Sequence, residues 1–171
     1  MEKLALMIQQ IILHLETVLN GEPWYGRSIY SLLEEAGKSD VYKKPGGVNH
    51  SMMELLYHME TWATYTLSVI KEEPLSQIKS IESLDWRTIE PKDHRWENGL
   101  AQFKSINQEI IDLLNTKEDH FLDQVLDDKN YSFRFLLNGM IDHHIYHAGQ
   151  IAYVKKLLES EVSQSSELGQ T

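Results

Sequence analysis

Over residues 2–20, apolar side chains recur at steps of three and four: Leu4, Met7, Ile8, Ile11, Ile12, Leu15, Val18 and Leu19. That period lines them along one stripe of an amphipathic helix. Gly21 and Pro23 end the pattern, since glycine suits a helix C-terminus and proline cannot continue one. Trp24 to Ser28 reads as a loop, followed by a short helical piece at about residues 29–36, and Lys43-Lys44-Pro45-Gly46-Gly47 reads as an exposed turn. Two lysines beside two glycines suggest a phosphate cradle, but they lack the spacing of any phosphate loop. Ser51 and Glu54 match a capping box, which predicts a second long helix from there to about Lys71. Its inward face would carry Leu55, His58, Trp62, Tyr65 and Val69, and Pro74 would follow its end.

Residues 74–93 hold no sustained period and contain Trp86 and Pro91, so a long irregular crossover is expected there. A third helix at about 94–115 presents Leu100, Phe103, Ile106, Ile110, Ile111 and Leu114. A fourth at about 132–159 presents Leu136, Met140, His143, His147, Ile151 and Val154. No internal repeat, heptad array or alternating strand pattern interrupts this organisation. The expected fold is therefore all-α, a four-helix bundle with a long crossover between its second and third helices. Residues 1–161 are expected to form one domain, and 162–171 a polar tail.

Charge narrows the partners. The chain of 171 residues carries 26 acidic residues against 16 Lys and Arg, a net charge of -10, with the basic residues scattered. Such a surface repels phosphate, which argues against nucleic acid and against anionic membrane. Gln9, Gln10, His14 and Glu16 interrupt the apolar N-terminus, which fits neither a spanning helix nor a signal peptide, so a cytoplasmic location is expected. There is no cysteine, hence no disulfide, thiolate ligand or cysteine nucleophile, and a transition metal would need nitrogen and oxygen ligands.

Histidine supplies them. His143 and His147 stand at i and i+4 on the fourth helix, neighbours about 5–6 Å apart at Cβ, and can converge on one ion. His58 lies on the inward face of the second helix. One histidine on an apolar face is more often a satisfied core residue than a ligand. Three inward ones are different, because each buried imidazole left without a partner costs about 1–3 kcal/mol and a divalent ion satisfies all three together. His144 lies about 100° around the helix from His143 and should face a neighbour or solvent. It is read as structural or exposed, as are His14, His50, His94 and His120. A di-iron bundle would need paired Glu-x-x-His motifs; Glu54 precedes His58 by four residues and no such motif occurs, which favours one metal.

These residues also carry a resemblance that spans nearly the whole chain. Gly21-Glu22-Pro23-Trp24-Tyr25-Gly26-Arg27-Ser28, Glu54-Leu55-Leu56-Tyr57-His58, Asp85-Trp86 and His143-His144-Ile145-Tyr146-His147-Ala148-Gly149-Gln150-Ile151 resemble the DinB/YfiT-like metalloenzyme family. The resemblance implies a four-helix bundle with a long connection between helices two and three. It also implies one divalent metal on His58, His143 and His147. Ala148 departs from the pattern, since many relatives carry arginine there.

Three imidazoles leave at least one coordination position for water or substrate, as in catalytic sites. The expected cofactor is one divalent transition metal, zinc or nickel ahead of iron. The resemblance further implies transfer of a low-molecular-weight thiol to an electrophile, with hydrolysis of a small molecule as another reaction open to such a centre. The competing expectation is a metal-binding stress or interaction protein without turnover. Glu54 is assigned first to the helix cap and second to His58, Gln150 to support of the centre or to a neighbouring helix. Trp24, Trp62 and Tyr146 are candidates for pocket lining or core packing. A two-fold homodimer is compatible with an all-α bundle, though no patch in the chain marks one.

Overall fold

The computed structural model describes residues 6–37, 39–47, 49–126 and 129–168. Six helices follow one another: α1 (Met7–Asn20), α2 (Ile29–Ala36), α3 (Met52–Ile70), α4 (Leu75–Glu82), α5 (Trp96–Leu114) and α6 (Phe133–Leu168). Short 3-10 turns occupy Pro45–Gly47 and Asp119–Asp123, and among the described residues there is no strand, only an isolated antiparallel bridge between Val125 and Ser132. The fold is all-helical, as the periodicity predicts. The first few residues of the predicted first helix and positions 169–171 of the predicted tail lie outside the described residues. The backbone stays helical through Leu168, past the end expected near residue 159.

α3 is the centre of the molecule. None of its side chains is exposed, and it packs against α5, α6 and α4. The apolar stripe read from its sequence is thus only part of its buried surface: Met52, Met53, Leu56, Met59, Ala63, Leu67 and Ile70 are buried as well. A helix enclosed on all sides needs no polar face. Its start is the predicted capping box. Ser51 Oγ accepts the Glu54 N–H at 3.2 Å, and Glu54 Oε2 accepts the Ser51 N–H at 2.8 Å. Glu54 also receives Lys44 at 2.8 Å, which ties the turn before α3 to its first turn.

The crossover is more ordered than its lack of period suggests. It contains α4, whose apolar residues Leu75, Ile78 and Ile81 recur over only two turns, too short a stretch to stand out as a sustained period, and of which Ile78 and Ile81 pack against the core. Beyond α4 the chain is anchored to α3 by Arg87, which donates to the Thr61 hydroxyl and to the Tyr57 carbonyl. α1 is capped from a distant segment: Asp119 accepts the N–H groups of Met7 at 3.0 Å and Ile8 at 2.9 Å. Those two donors hold its carboxyl below the usual range. No helix among the described residues is long and apolar enough to cross a membrane.

Gly99 sets how closely α5 approaches α3. A Cβ there would stand 2.8 Å from Tyr57 Cε2 and 3.3 Å from Leu56 Cδ2. The Tyr57 ring cannot easily retreat, because it is buried and its hydroxyl donates to the Arg95 carbonyl at 3.3 Å. Gly99→Ala is therefore expected to destabilise the fold by about 1–3 kcal/mol through overpacking, despite the better helix propensity of alanine. A lower urea midpoint with an unchanged slope would agree; an unchanged or higher midpoint would contradict the close approach.

Candidate metal centre

The capping box at Ser51 fixes where α3 begins, and His58 follows two turns in, on the side that meets α6. On α6, His143 and His147 share a face at i and i+4. The structure brings these three predicted residues together. His58 Nε2 lies 2.9 Å from His143 Nε2 and 3.0 Å from His147 Nε2, and all three nitrogens fall within 4.8 Å of one another. His58 and His147 are buried and His143 is half-buried.

Partners on the far side of two rings define their tautomers. His58 Nδ1 lies 2.5 Å from Asp85 Oδ1, and His147 Nδ1 lies 2.6 Å from Gln150 Oε1. A carboxylate or amide oxygen only accepts, so each Nδ1 carries the proton and donates. Both Nε2 lone pairs then point inward at each other. Burial depresses the basicity of the set. Desolvation, with its histidine neighbours adding to it, lowers His143 to about 3. Desolvation and the His58 charge lower His147 to about 4 against the Gln150 hydrogen bond. His58 is also lowered by desolvation, which outweighs the hydrogen bond and charge of Asp85. His58 and His147 thus oppose lone pairs 3.0 Å apart, which repel, and a cation among the three rings converts that repulsion into attraction; His143, whose Nδ1 is buried without a hydrogen-bond partner among the described residues, completes the set. The separations suit it, since His58 Nε2 is within twice a usual metal–nitrogen bond of about 2.0–2.1 Å of both other nitrogens. The residues present fit a divalent transition metal.

Asp85 was not assigned a role from sequence. It arrives on the crossover after α4, and only the tertiary fold carries it to a histidine 27 positions earlier. Its one sequence signal is adjacency to Trp86 in a stretch without period. Trp86 adopts a left-handed backbone, φ 50°, which costs a non-glycine residue about 1–2 kcal/mol. The conformation lays the indole flat on His58, 3.9 Å between centroids, with His50 stacked on it at 4.1 Å. The strain thus covers one ring of the trio.

The remaining assignments separate cleanly. Glu54 serves the helix cap and Lys44 rather than His58, and Gln150 supports His147. His144 is fully buried; its Nε2 lies 3.2 Å from Asn107 Oδ1 and its ring packs on Phe103 of α5. That contact turns α6 so that its neighbours His143 and His147 face α3. His94 lies against Tyr57, and His14 and His120 are exposed. Trp62 lines a cavity beside His143, and Tyr146 a separate one beside Gln150. Trp24 is fully exposed and lines neither, a correction to its candidacy: a loop side chain with no facing element finds nothing to pack on. Ala148 is buried and lines a cavity facing α2.

The histidines make acid stability predictable. His144 is lowered to about 3 by desolvation, and with His143 and His147 it stays neutral in the folded chain while the unfolded chain protonates near 6.5; His58 is lowered in the same direction. The unfolded state therefore binds more protons below that value, so stability is fully present above about pH 6.5 and falls as the pH drops, by up to about 1.4 kcal/mol per pH unit for each histidine. Glu60, raised by burial, acts with the opposite sign but is a single group. Urea midpoints of metal-free protein are expected to fall between pH 6.5 and 5, above the range of ordinary carboxylates. A flat profile there would contradict the buried neutral set.

Comparison with curated proteins and with solved structures gives no match. A family model does match, over residues 9–161, a span that contains most of α1, all of α2 to α5, the three histidines, Asp85 and Gln150. By that match the chain belongs to the DinB family.

Proposed function

We propose that the protein is a metal-dependent enzyme whose His58, His143 and His147 hold one divalent transition metal, zinc or nickel ahead of iron, and that it transfers a low-molecular-weight thiol to an electrophilic small molecule. The observation that carries this reading is the convergence of three Nε2 atoms, two of them backed by Asp85 and Gln150. Acceptors behind histidine ligands are what orients such rings and raises their affinity for a metal. We read α1, α3, α5 and α6 as the four helices of a bundle, with α2 and α4 inserted in its connections. Contacts of α3 with α5 and α6, and of α1 with α5 and α6, support that arrangement.

With three protein ligands a position stays open, and a bound ion there supplies Lewis acidity that ionises a coordinated thiol or acidifies water. The chain's own part is to keep three imidazoles neutral and aligned and to screen them with Trp86. Thiol transfer is favoured over hydrolysis by the state of the nearby carboxylates. Asp85 is committed to His58, and Glu54 to the helix cap and Lys44. Neither stands ready as a base for water, whose pKa on zinc is still about 7, whereas a coordinating thiol is deprotonated outright. A thiol held there would give its proton to solvent and its sulfur would form the bond to the electrophilic carbon as the leaving group departed with its electron pair. With no cysteine in the chain, the sulfur comes from the co-substrate. The same committed carboxylates also favour the alternative of a metal-binding stress or interaction protein without turnover, and only an activity distinguishes the two.

Untagged protein offered zinc or nickel is expected to retain about one ion per chain by elemental analysis, and His58→Ala, His143→Ala and His147→Ala to lose it together with the thermal stabilisation it confers. Asp85→Asn should keep the stoichiometry at saturating metal while weakening affinity about 10–100-fold in chelator competition. Metal-dependent consumption of a small thiol with an aryl halide, absent in His143→Ala, would support transfer. Wild-type protein that takes up no ion would sink the whole reading.

A further inference from the structure

A cavity of about 290 Å³ adjoins the histidines between α3 and α6. Trp62, Tyr65, Tyr131 and Phe135 supply its aromatic walls, with Met140 and Leu136 beside them and His143 at its inner end. None of its lining residues carries a formal charge. The hydroxyls of Tyr65 and Tyr131 bond to one another at 3.3 Å, and Thr66 donates to the Trp62 carbonyl at 2.9 Å, so the polar atoms of the wall are largely turned to each other. The cavity facing α2, by contrast, is rimmed by Arg27, Glu35, Lys155, Lys156 and Glu159, and the one beside Gln150 is uncharged but does not include a histidine of the trio.

Two residues of the lining stand out, Phe135, whose exposed ring rests on Tyr131 at 5.2 Å between centroids, and Gly139. Phe135 is 66% exposed, in the first turn of α6, where a polar side chain would cost nothing. Gly139 stands one turn before His143 inside α6, where glycine destabilises a helix by about 1 kcal/mol relative to alanine. Packing does not demand it, because a Cβ there would meet nothing within 4 Å. Its lack of a side chain leaves the chamber open beside a histidine of the trio.

We infer that this chamber is the substrate subsite, and that the substrate is a small uncharged molecule whose aromatic or compact hydrocarbon group lies between Trp62, Tyr131 and Phe135 while its reacting atom reaches the metal at His143. This deepens the proposed function and rests on its metal centre. Size agrees, since a cavity of about 150 Å³ accepts one benzene ring and this one has room for a ring with a substituent. Charge agrees too, because an ion placed among neutral aromatic walls would lose its hydration without gaining a partner.

The test compares benzohydroxamate with acetohydroxamate, two chelators that share a head group and differ by the ring, on the zinc- or nickel-loaded full chain. The ring is expected to improve affinity about ten-fold or more. Phe135→Ala removes a wall and Gly139→Leu fills the space; each is expected to bring the ratio near one, with acetohydroxamate affinity and metal content unchanged. A ratio near one in wild type, or a ratio that survives both substitutions, would overturn the subsite. Benzyl alcohol, which carries the ring without the chelating group, separates this inference from the metal reading. Its binding to wild type by saturation-transfer NMR, lost in both variants, would uphold the chamber even if neither hydroxamate bound. Its failure to bind would overturn it.

Discussion

Three imidazole nitrogens face one another across the contact of α3 with α6, and the rest of the molecule is arranged to tolerate them there. Withdrawn from water, they are held toward the neutral form, and the lone pairs of His58 and His147 oppose each other at about the distance that a shared ion would bridge. Nothing in helix packing alone rewards such a meeting, since aliphatic side chains would fill the same interface at lower cost. The surrounding contacts act to hold it. Gly99 lets α5 close on α3, the Ser51 box sets the first turn of α3, and the His144–Asn107 contact fixes the rotation of α6.

The crossover between α3 and α5 contributes by strain as much as by contact. Trp86 accepts a left-handed backbone, and Arg87 is bound to α3 immediately after it. Together they press Asp85 and an indole onto the outer side of His58. A segment with few buried side chains thereby supplies the acceptor and the cover for a buried ring. The result is an asymmetric centre: one side is closed by Trp86, while His143 borders an aromatic chamber.

Much of the fold was legible because amphipathic helices announce themselves. The stripe of α1, the capping box of α3 and the spacing of His143 and His147 each follow from a local period or cap. α4 was not legible, because it is only two turns long and its short stripe of Leu75, Ile78 and Ile81 sustains no period. Nor was the full burial of α3, since a helix enclosed on every side loses the contrast that periodicity depends on. His144 illustrates the same boundary. Its angle from His143 was fixed by helix geometry, but whether it met solvent or Asn107 depended on where α5 lay.

By itself, then, the sequence determined the helices other than α4, the pairing of two histidines on one face and the inward placing of a third, since all of these are set by periods of a few residues. Tertiary structure alone decided that Asp85 stands behind His58, that Trp86 covers it and that an uncharged chamber opens beside His143. Those relations join residues from three different segments of the chain. No local period records them, because they arise only when α3, α6 and the crossover exclude water together.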